Sequence, residues 1–370
     1  MCQTEPRAIP SNSVRVENAK ILCYNRPNLL EMVRRTLSHT ISAQCPQSRV
    51  LPSRMSSGQS QSLSAWKTRL PVVNYTNRYS NLLKQFVASL VDLEDESAIL
   101  YKRTFEGILG QPALTPTATC LLLKQGEQLQ GFALIFQEFP IKRSIIEVMT
   151  LPAIAGDPKE MELVERAVQQ AQSSGLAVAH VCLPQGSGMN EVLVRAGFTL
   201  VRTYLDMLCI SRDIPDVDLP PGYYIRVFEP GDTALLTRVQ NDAFAGSWGF
   251  CPNTEEQIEY RMNMPNTSME GVLFLFEEDK LAGYCWTTKV PSENGIRGMI
   301  GMIGVVPDYR GKGISRHILM AGMKSLRSAG MSEICLEVDQ DNHPAFRLYT
   351  STGFKTIGER HWFERIFPGT

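Results

Sequence analysis

Residues 303 to 316 read Ile-Gly-Val-Val-Pro-Asp-Tyr-Arg-Gly-Lys-Gly-Ile-Ser-Arg. Gly311 and Gly313 flank Lys312, and with no Cβ in the way such a turn lets backbone N–H groups come close to an anion. Downstream, Ile314, Ile318, Gly322 and Leu326 repeat every fourth position and Gly330 follows as a stop, which predicts an amphipathic helix beginning inside the glycine turn. The first N–H groups of that helix lack intrahelical partners, and Arg310 and Lys312 add positive charge to the same rim. A phosphate would be held there favourably, although a plain strand-to-helix connector fits the loop equally well when it is read alone. A nucleoside triphosphate loop of the G-x-x-x-x-G-K-[ST] type fails, because Val306 occupies the first glycine position and Gly313 follows the lysine. A dinucleotide G-x-G-x-x-G turn fails as well, since Arg316 stands where the third glycine belongs.

The elements that position this loop are readable from apolar runs and their punctuation. Gly298 to Val306 reads as a strand ending at Pro307, preceded by strand-like runs Gly271 to Phe276 and Leu281 to Val290 and followed, after the helix, by Glu333 to Val338. The upstream half carries the same order: Cys120 to Leu123, Gly131 to Gln137, Ser144 to Thr150 ending at Leu151-Pro152, then a helix and Leu176 to Leu183. Pro152 and Pro307 lie 155 positions apart, and Gly197-Phe198 and Gly353-Phe354 lie 156 apart, which implies a tandem duplication. The chain of 370 residues thus divides into a basic, Ser-rich tail at 1–69 expected to be disordered, a first domain at 70–210, a Pro- and Asp-rich linker at 211–222, and a second domain at 223–370.

With a second motif, Asn342-His343-Pro344-Ala345-Phe346-Arg347-Leu348-Tyr349 running on to Gly353-Phe354, the second half resembles the GNAT superfamily of N-acetyltransferases. Arg310, Gly313 and Ser315 match the spacing of that family's coenzyme A loop, R/Q-x-x-G-x-G/A, with Ser315 in place of the usual Gly or Ala. The tandem arrangement, with Asn241-Asp242-Ala243-Phe244 and Trp248-Gly249-Phe250, is similar to the two-domain subgroup containing mycothiol synthase. The resemblance implies an α/β (α+β) fold of two GNAT-like domains, each a mixed, mostly antiparallel sheet flanked by helices. It further implies acetyl-CoA as co-substrate, bound by Val305, Val306, Arg310, Gly311, Lys312, Gly313, Ile314, Ser315 and Asn342. By the same resemblance, Tyr349 is the general acid that protonates the departing thiolate.

The chemistry so implied is transfer of an acetyl group to a primary amine of a small metabolite or peptide. A non-catalytic acyl-CoA sensor is the competing reading, and protein N-terminal acetylation a third. Plainer roles stand beside the assigned ones: packing for Tyr349, helix capping for Asn342, an exposed imidazole for His343, core or loop packing for Trp248 and Phe250. The strand Gly298 to Val306 holds no titratable side chain, so the general base stays open, with Glu337 and Asp339 as candidates. In the first half Ala155, Pro158 and Glu160 replace Arg310, Gly313 and Ser315, and Leu193 replaces Tyr349; Asp157 and Glu160 suit helix capping and would repel a pyrophosphate, which makes this half a degenerate scaffold.

Composition bounds the remaining classes. Thirty-seven basic against 38 acidic residues leave a net charge of -1, which provides no whole-chain field for nucleic acid or anionic membrane. No apolar run approaches the roughly 20 residues of a spanning helix. Nine scattered cysteines without a C-x-x-C or Cys/His cluster argue against metal or a disulfide framework and for a reducing, cytoplasmic setting. The acid-poor tail allows an organelle transit peptide as a minor alternative, or a start at Met55. Oligomeric state is not legible.

Overall fold

The computed structural model describes residues 72–368 except 91–95, 113, 155, 212, 217 and 293, so the tail expected at 1–69 lies outside the described residues. The first half runs β1 (Val72–Asn74), α1 (Ser80–Ser89), α2 (Glu96–Leu109), α3 (Pro116–Thr119), β2 (Cys120–Gln125), β3 (Gln128–Glu138), β4 (Arg143–Thr150), α4 (Pro158–Ser173), β5 (Val178–Pro184), α5 (Asn190–Arg195) and β6 (Thr199–Cys209). The second runs β7 (Tyr223–Val227), α6 (Thr233–Phe244), α7 (Glu255–Met262), β8 (Val272–Glu277), β9 (Lys280–Ser292), β10 (Gly295–Val305), α8 (Ser315–Ser328), β11 (Ile334–Asp339), α9 (His343–Ser351) and β12 (Lys355–Ile366). Each apolar run that reads as a strand is one, and the helix predicted from Ile314 spans Ser315 to Ser328.

The sheet is mixed and mostly antiparallel; among the described strands only β4 with β5 and β10 with β11 pair in parallel. The two halves, however, do not close two separate sheets. All twelve described strands form one sheet in the order β1-β2-β3-β4-β5-β12-β6-β11-β10-β9-β8-β7. The last strand of the second half, β12, lies between β5 and β6, and the last strand of the first half, β6, lies between β12 and β11. A row of charged side chains crosses this exchange. Arg360 on β12 meets Asp206 on β6 at 2.6 Å and Glu337 on β11 at 3.2 Å, and all three are buried. Losing one member would strand buried charge at about 3–5 kcal/mol, so the row disfavours slipped registers of the exchanged strands.

One face of the sheet carries α4 and α5 over a core that includes Leu163, Val164, Val192 and Phe363, and farther along α8 and α9 over a core that includes Ile318, Met323, Leu336 and Tyr349. The opposite face carries α1, α2, α6 and α7 over a single core shared by both halves, in which Phe86 and Phe105 set their edges against Phe132. Tyr260 on α7 donates to the Gly107 carbonyl on α2 at 2.8 Å, a direct tie between the halves. The linker lies along α8: Ile214 and Leu219 pack on the core beneath it, Asp216 pairs with Lys324, and the Asp218 carbonyl meets His317 at 3.0 Å. No helix among the described residues is long and apolar enough to cross a membrane.

Candidate active site

Strands β10 and β11 pair only at Gly298 with Ile334 and Met299 with Cys335, after which they part. At the same point β10 slips register against β9, between Ile300 and Met302. A bulge beside an unpaired edge re-aims backbone groups into the opening. The Val306 N–H donates to Ala282 O on β9 at 3.0 Å, so by the two-residue alternation of a strand the Val305 N–H turns the other way, toward the gap. The bulge therefore lies nearer the middle of β10 than Val305 and Val306, and of those two only Val305 has its N–H directed at the opening. Gly304 lets the opposite face close up on β10: a Cβ there would stand 2.7 Å from that of Ala243 and 3.0 Å from the Tyr284 ring.

The glycine loop follows a short 3-10 turn, Pro307–Tyr309. Arg310 does not point outward with the loop. Its Nε donates to the Val305 carbonyl at 3.2 Å and its Nη2 to the Ala243 carbonyl at 2.9 Å, which ties the loop to β10 and to the end of α6. Burial lowers the pKa of this guanidinium from its ordinary value. Lys312 lies with its ammonium 4.5 Å from the centre of the Tyr309 ring, and the neighbouring Tyr223 and Tyr309 hydroxyls lower the pKa of Glu277 below its ordinary value. Gly311 and Gly313 have φ of +77° and +78°, a region that costs side-chain-bearing residues about 1–2 kcal/mol, and the space beside each is open. Ile314 is buried as an anchor, and α8 starts without a side-chain cap. Among the described residues no acceptor meets the backbone N–H groups of Gly311, Lys312, Gly313, Ile314 and Ser315. Five consecutive donors at the positive end of a 14-residue helix fit a pyrophosphate.

The corresponding place in the first half is filled from within. Asp157 caps α4 by accepting from the Lys159 N–H at 2.9 Å. Glu160, only 1 % exposed, accepts from the Gly156 N–H at 2.7 Å and from the Thr150 hydroxyl at 2.6 Å. The protein's own carboxylate sits there.

The second motif forms α9. Asn342 is its N-cap, with Oδ1 accepting from the Ala345 N–H at 3.3 Å, so the capping role weighed for this residue is the one its Oδ1 performs. Tyr349 is 1 % exposed, packs edge-to-face on Phe354 at 5.9 Å, and shares one core with Ile303 and Val305 of the cleft strand and with Tyr309 and Ile314 of the loop. The structure thus places Val305, Tyr309 and Ile314 of the loop, and Tyr349 in one core under α8 and α9. Of the two candidate bases, Glu337 belongs to the charged row with Arg360. Asp339, at the parted end of β11, has its pKa raised chiefly by burial, against the pull of an Asp341 N–H at 3.0 Å and of Arg202 at 3.4 Å.

On the other face a loop from Ala245 to Asn253 follows α6. Phe250 stacks on Phe244 at 5.5 Å, while Trp248 sets its edge against His180 at 5.3 Å and Trp362 at 5.8 Å, with Arg202 over its ring. Arg143, 2 % exposed at the start of β4, donates through Nη2 to the Gly249 carbonyl at 2.5 Å and through Nε to Glu138 at 2.6 Å. Sequence reasoning passed over Arg143 and His180; the available signal was a lone arginine opening the apolar strand Arg143–Thr150. Burial and the Arg143 charge pull the His180 pKa down to about 3, outweighing the Glu364 carboxylate 2.9 Å from its Nε2, so the ring is neutral near pH 7 and its Nε2–H is assigned as donor to Glu364.

A run of N–H donors beside a parted pair of strands suits a phosphate-bearing ligand, and comparison with known proteins gives the class. The profile described as the acetyltransferase (GNAT) family matches residues 234–354. A mycothiol acetyltransferase of Thermobispora bispora is 30% identical over 249 residues, covering 64% of this chain and 80% of the relative. Among solved structures, a GCN5-related N-acetyltransferase from Sphaerobacter thermophilus superposes with a TM-score of 0.58 at 21% identity, over 78% of this chain and 92% of that one. A tandem GNAT protein from the clavulanic acid biosynthesis pathway gives 0.60 at 12% identity, over 81% and 98%. The chain belongs to the acetyltransferase (GNAT) family, and it is an acetyl-CoA-dependent N-acetyltransferase that acts on an amine.

Proposed function

We propose that the second half holds acetyl-CoA on the N–H groups of Gly311 to Ser315 and passes its acetyl group to the primary amine of a small metabolite, of the kind named by its mycothiol acetyltransferase relatives. The observation that carries this reading is the run of five donors beside the place where β10 and β11 part. Attack by an amine on a thioester puts negative charge first on the carbonyl oxygen and then on the sulfur. The Val305 N–H, directed into the opening, serves the oxygen, and Tyr349 supplies the proton to the leaving thiolate. Asp339 is a carboxylate on β11 with its pKa already raised, and a water chain from it would take the ammonium proton. The first half, its anion place filled by Glu160, binds no coenzyme and supports the second.

The test is thiol release from acetyl-CoA by the purified protein across a panel of small-molecule amines and peptide N-termini. Turnover with one group of small amines is expected. Tight acetyl-CoA binding without release by any amine would replace the enzyme with a sensor, and turnover confined to peptides would overturn the metabolite reading.

A further inference from the structure

The loop from Ala245 to Asn253 is anchored at its far end within its own half. Asn241 exchanges two bonds with the Asn253 backbone, at 2.9 and 3.0 Å, and Arg261 holds the Asn253 side chain at 2.7 Å. Its middle is seated differently. Phe250 stacks on Phe244 of its own half, whereas residues 248 and 249 meet strands β4, β5, β6 and β12: Arg143 on the Gly249 carbonyl, His180 and Trp362 on Trp248, and Arg202 over the Trp248 ring. The near end leads straight to the cleft. Ala243, two residues before the loop, gives its carbonyl to Arg310 and lies in van der Waals reach of Gly304.

A guanidinium carried into a core is costly unless each face of it is used, and this one is fixed by Glu138 on one side and aimed across the halves on the other. We infer that Arg143 of the first half is a positioning residue for the second: through the Gly249 carbonyl it sets the Ala245–Asn253 loop, and with it the amine-binding side of the cleft. This rests on the acetyltransfer reading above for what the loop serves, though not for what holds the loop. It gives the degenerate half a task in the reaction without any contact to coenzyme. It also predicts a divided effect, because the loop continues from α6, which packs on β10 over the face opposite α8 and its glycine turn. Amine recognition should suffer while acetyl-CoA binding does not.

The test uses the full chain with Arg143→Lys, which keeps a charge beside Glu138 but loses the planar fork, and with the paired Arg143→Met/Glu138→Gln, which leaves no stranded carboxylate. In both, hydrogen–deuterium exchange in peptides covering 245–253 should rise by about tenfold or more while β9 is unchanged, since a buried charge-assisted bond is lost. Acetyl-CoA affinity by calorimetry should stay within about threefold, and for the best amine of the panel KM should rise by about tenfold with kcat changed less than threefold. Unchanged exchange in 245–253 overturns the inference, and so does a loosened loop with an unchanged KM. Should the parent protein release thiol with no amine, that failure belongs to the acetyltransfer reading, and the exchange measurement alone decides whether Arg143 holds the loop. If one variant does not fold, the other carries both measurements.

Discussion

Replacing Gly313 with Glu and, separately, with Gln tests the coenzyme loop and divides its physics into parts. Both substitutions place a Cβ at φ +78°, where the cost to a side-chain-bearing residue is about 1–2 kcal/mol, and both meet open space rather than protein, so the folded domain survives. Both also put side-chain bulk where phosphate oxygens must approach the N–H groups. Only Glu adds charge. A carboxylate about 5 Å from a pyrophosphate of charge near -2, at an effective dielectric of about 40, is repelled by roughly 3 kcal/mol, a factor on the order of 100 in affinity. Calorimetric titration with acetyl-CoA at low salt should therefore show Gln weakening binding by about tenfold or more and Glu by about a further hundredfold. Raising the salt should narrow the Glu-to-Gln difference, because the site lies at the surface. If both variants bind as the parent does, the loop is a connector. If Glu and Gln weaken binding equally at low salt, the ligand does not place its phosphates there.

Tyr349→Phe should lower kcat by about a hundredfold while acetyl-CoA affinity stays within about threefold; equal turnover across pH would make Tyr349 a packing residue only. Titration should give one acetyl-CoA per chain, and Glu160→Gln should leave that number and affinity intact while costing about 1–3 kcal/mol in urea unfolding; two sites would refute the filled-site account of the first half. His180 titrates near its ordinary value, about 6.5, when unfolded and only near 3 when folded, so the unfolded state takes up the proton first and stability is lost as pH falls below about 6.5. Denaturation at pH 7 and pH 5 should show a loss approaching about 1.4 kcal/mol per pH unit that His180→Phe removes; the same slope in parent and variant would count against a buried neutral ring.

Local features of this chain were legible because local rules produce them. β10 ends at Pro307 and α8 follows a glycine turn, and both are written in a few consecutive residues. Asp157 and Glu160 announce themselves as caps by position and type. Asn342 shows where such reading divides, since an amide suits both a helix start and a ligand contact, and only the placement of the Ala345 N–H shows what its Oδ1 does. Val306 was paired with Val305 by resemblance, yet which of two neighbouring N–H groups faces the opening depends on the register with β9. The exchange of β6 and β12 carries no local mark at all. Thr199–Cys209 and Lys355–Ile366 are ordinary strands by composition, and their neighbours are chosen by side chains such as Asp206 and Arg360 that lie 154 positions apart. Arg143 and Gly249 are separated by 106 and met by the same long-range folding.

The order in which the strands lie has a consequence for what counts as a part of this molecule. Were the two halves separate chains, each would have lent its final strand to the other, the arrangement of a swapped dimer, and residues 211–222 merely join its two members. A protease cut in that stretch would break the backbone without parting the pieces, since the ladders β5-β12, β12-β6 and β6-β11 would all have to be undone together. The reverse also holds. A fragment beginning at Tyr223 would carry β12 with neither of its neighbours and β11 with a bare edge where β6 belongs, an invitation to aggregate. Because β11 is one side of the opening between the parted strands, its outer support is a strand of the first half. The smallest self-sufficient piece is then the pair, clasped like two links of a chain, and the first half could not be dispensed with.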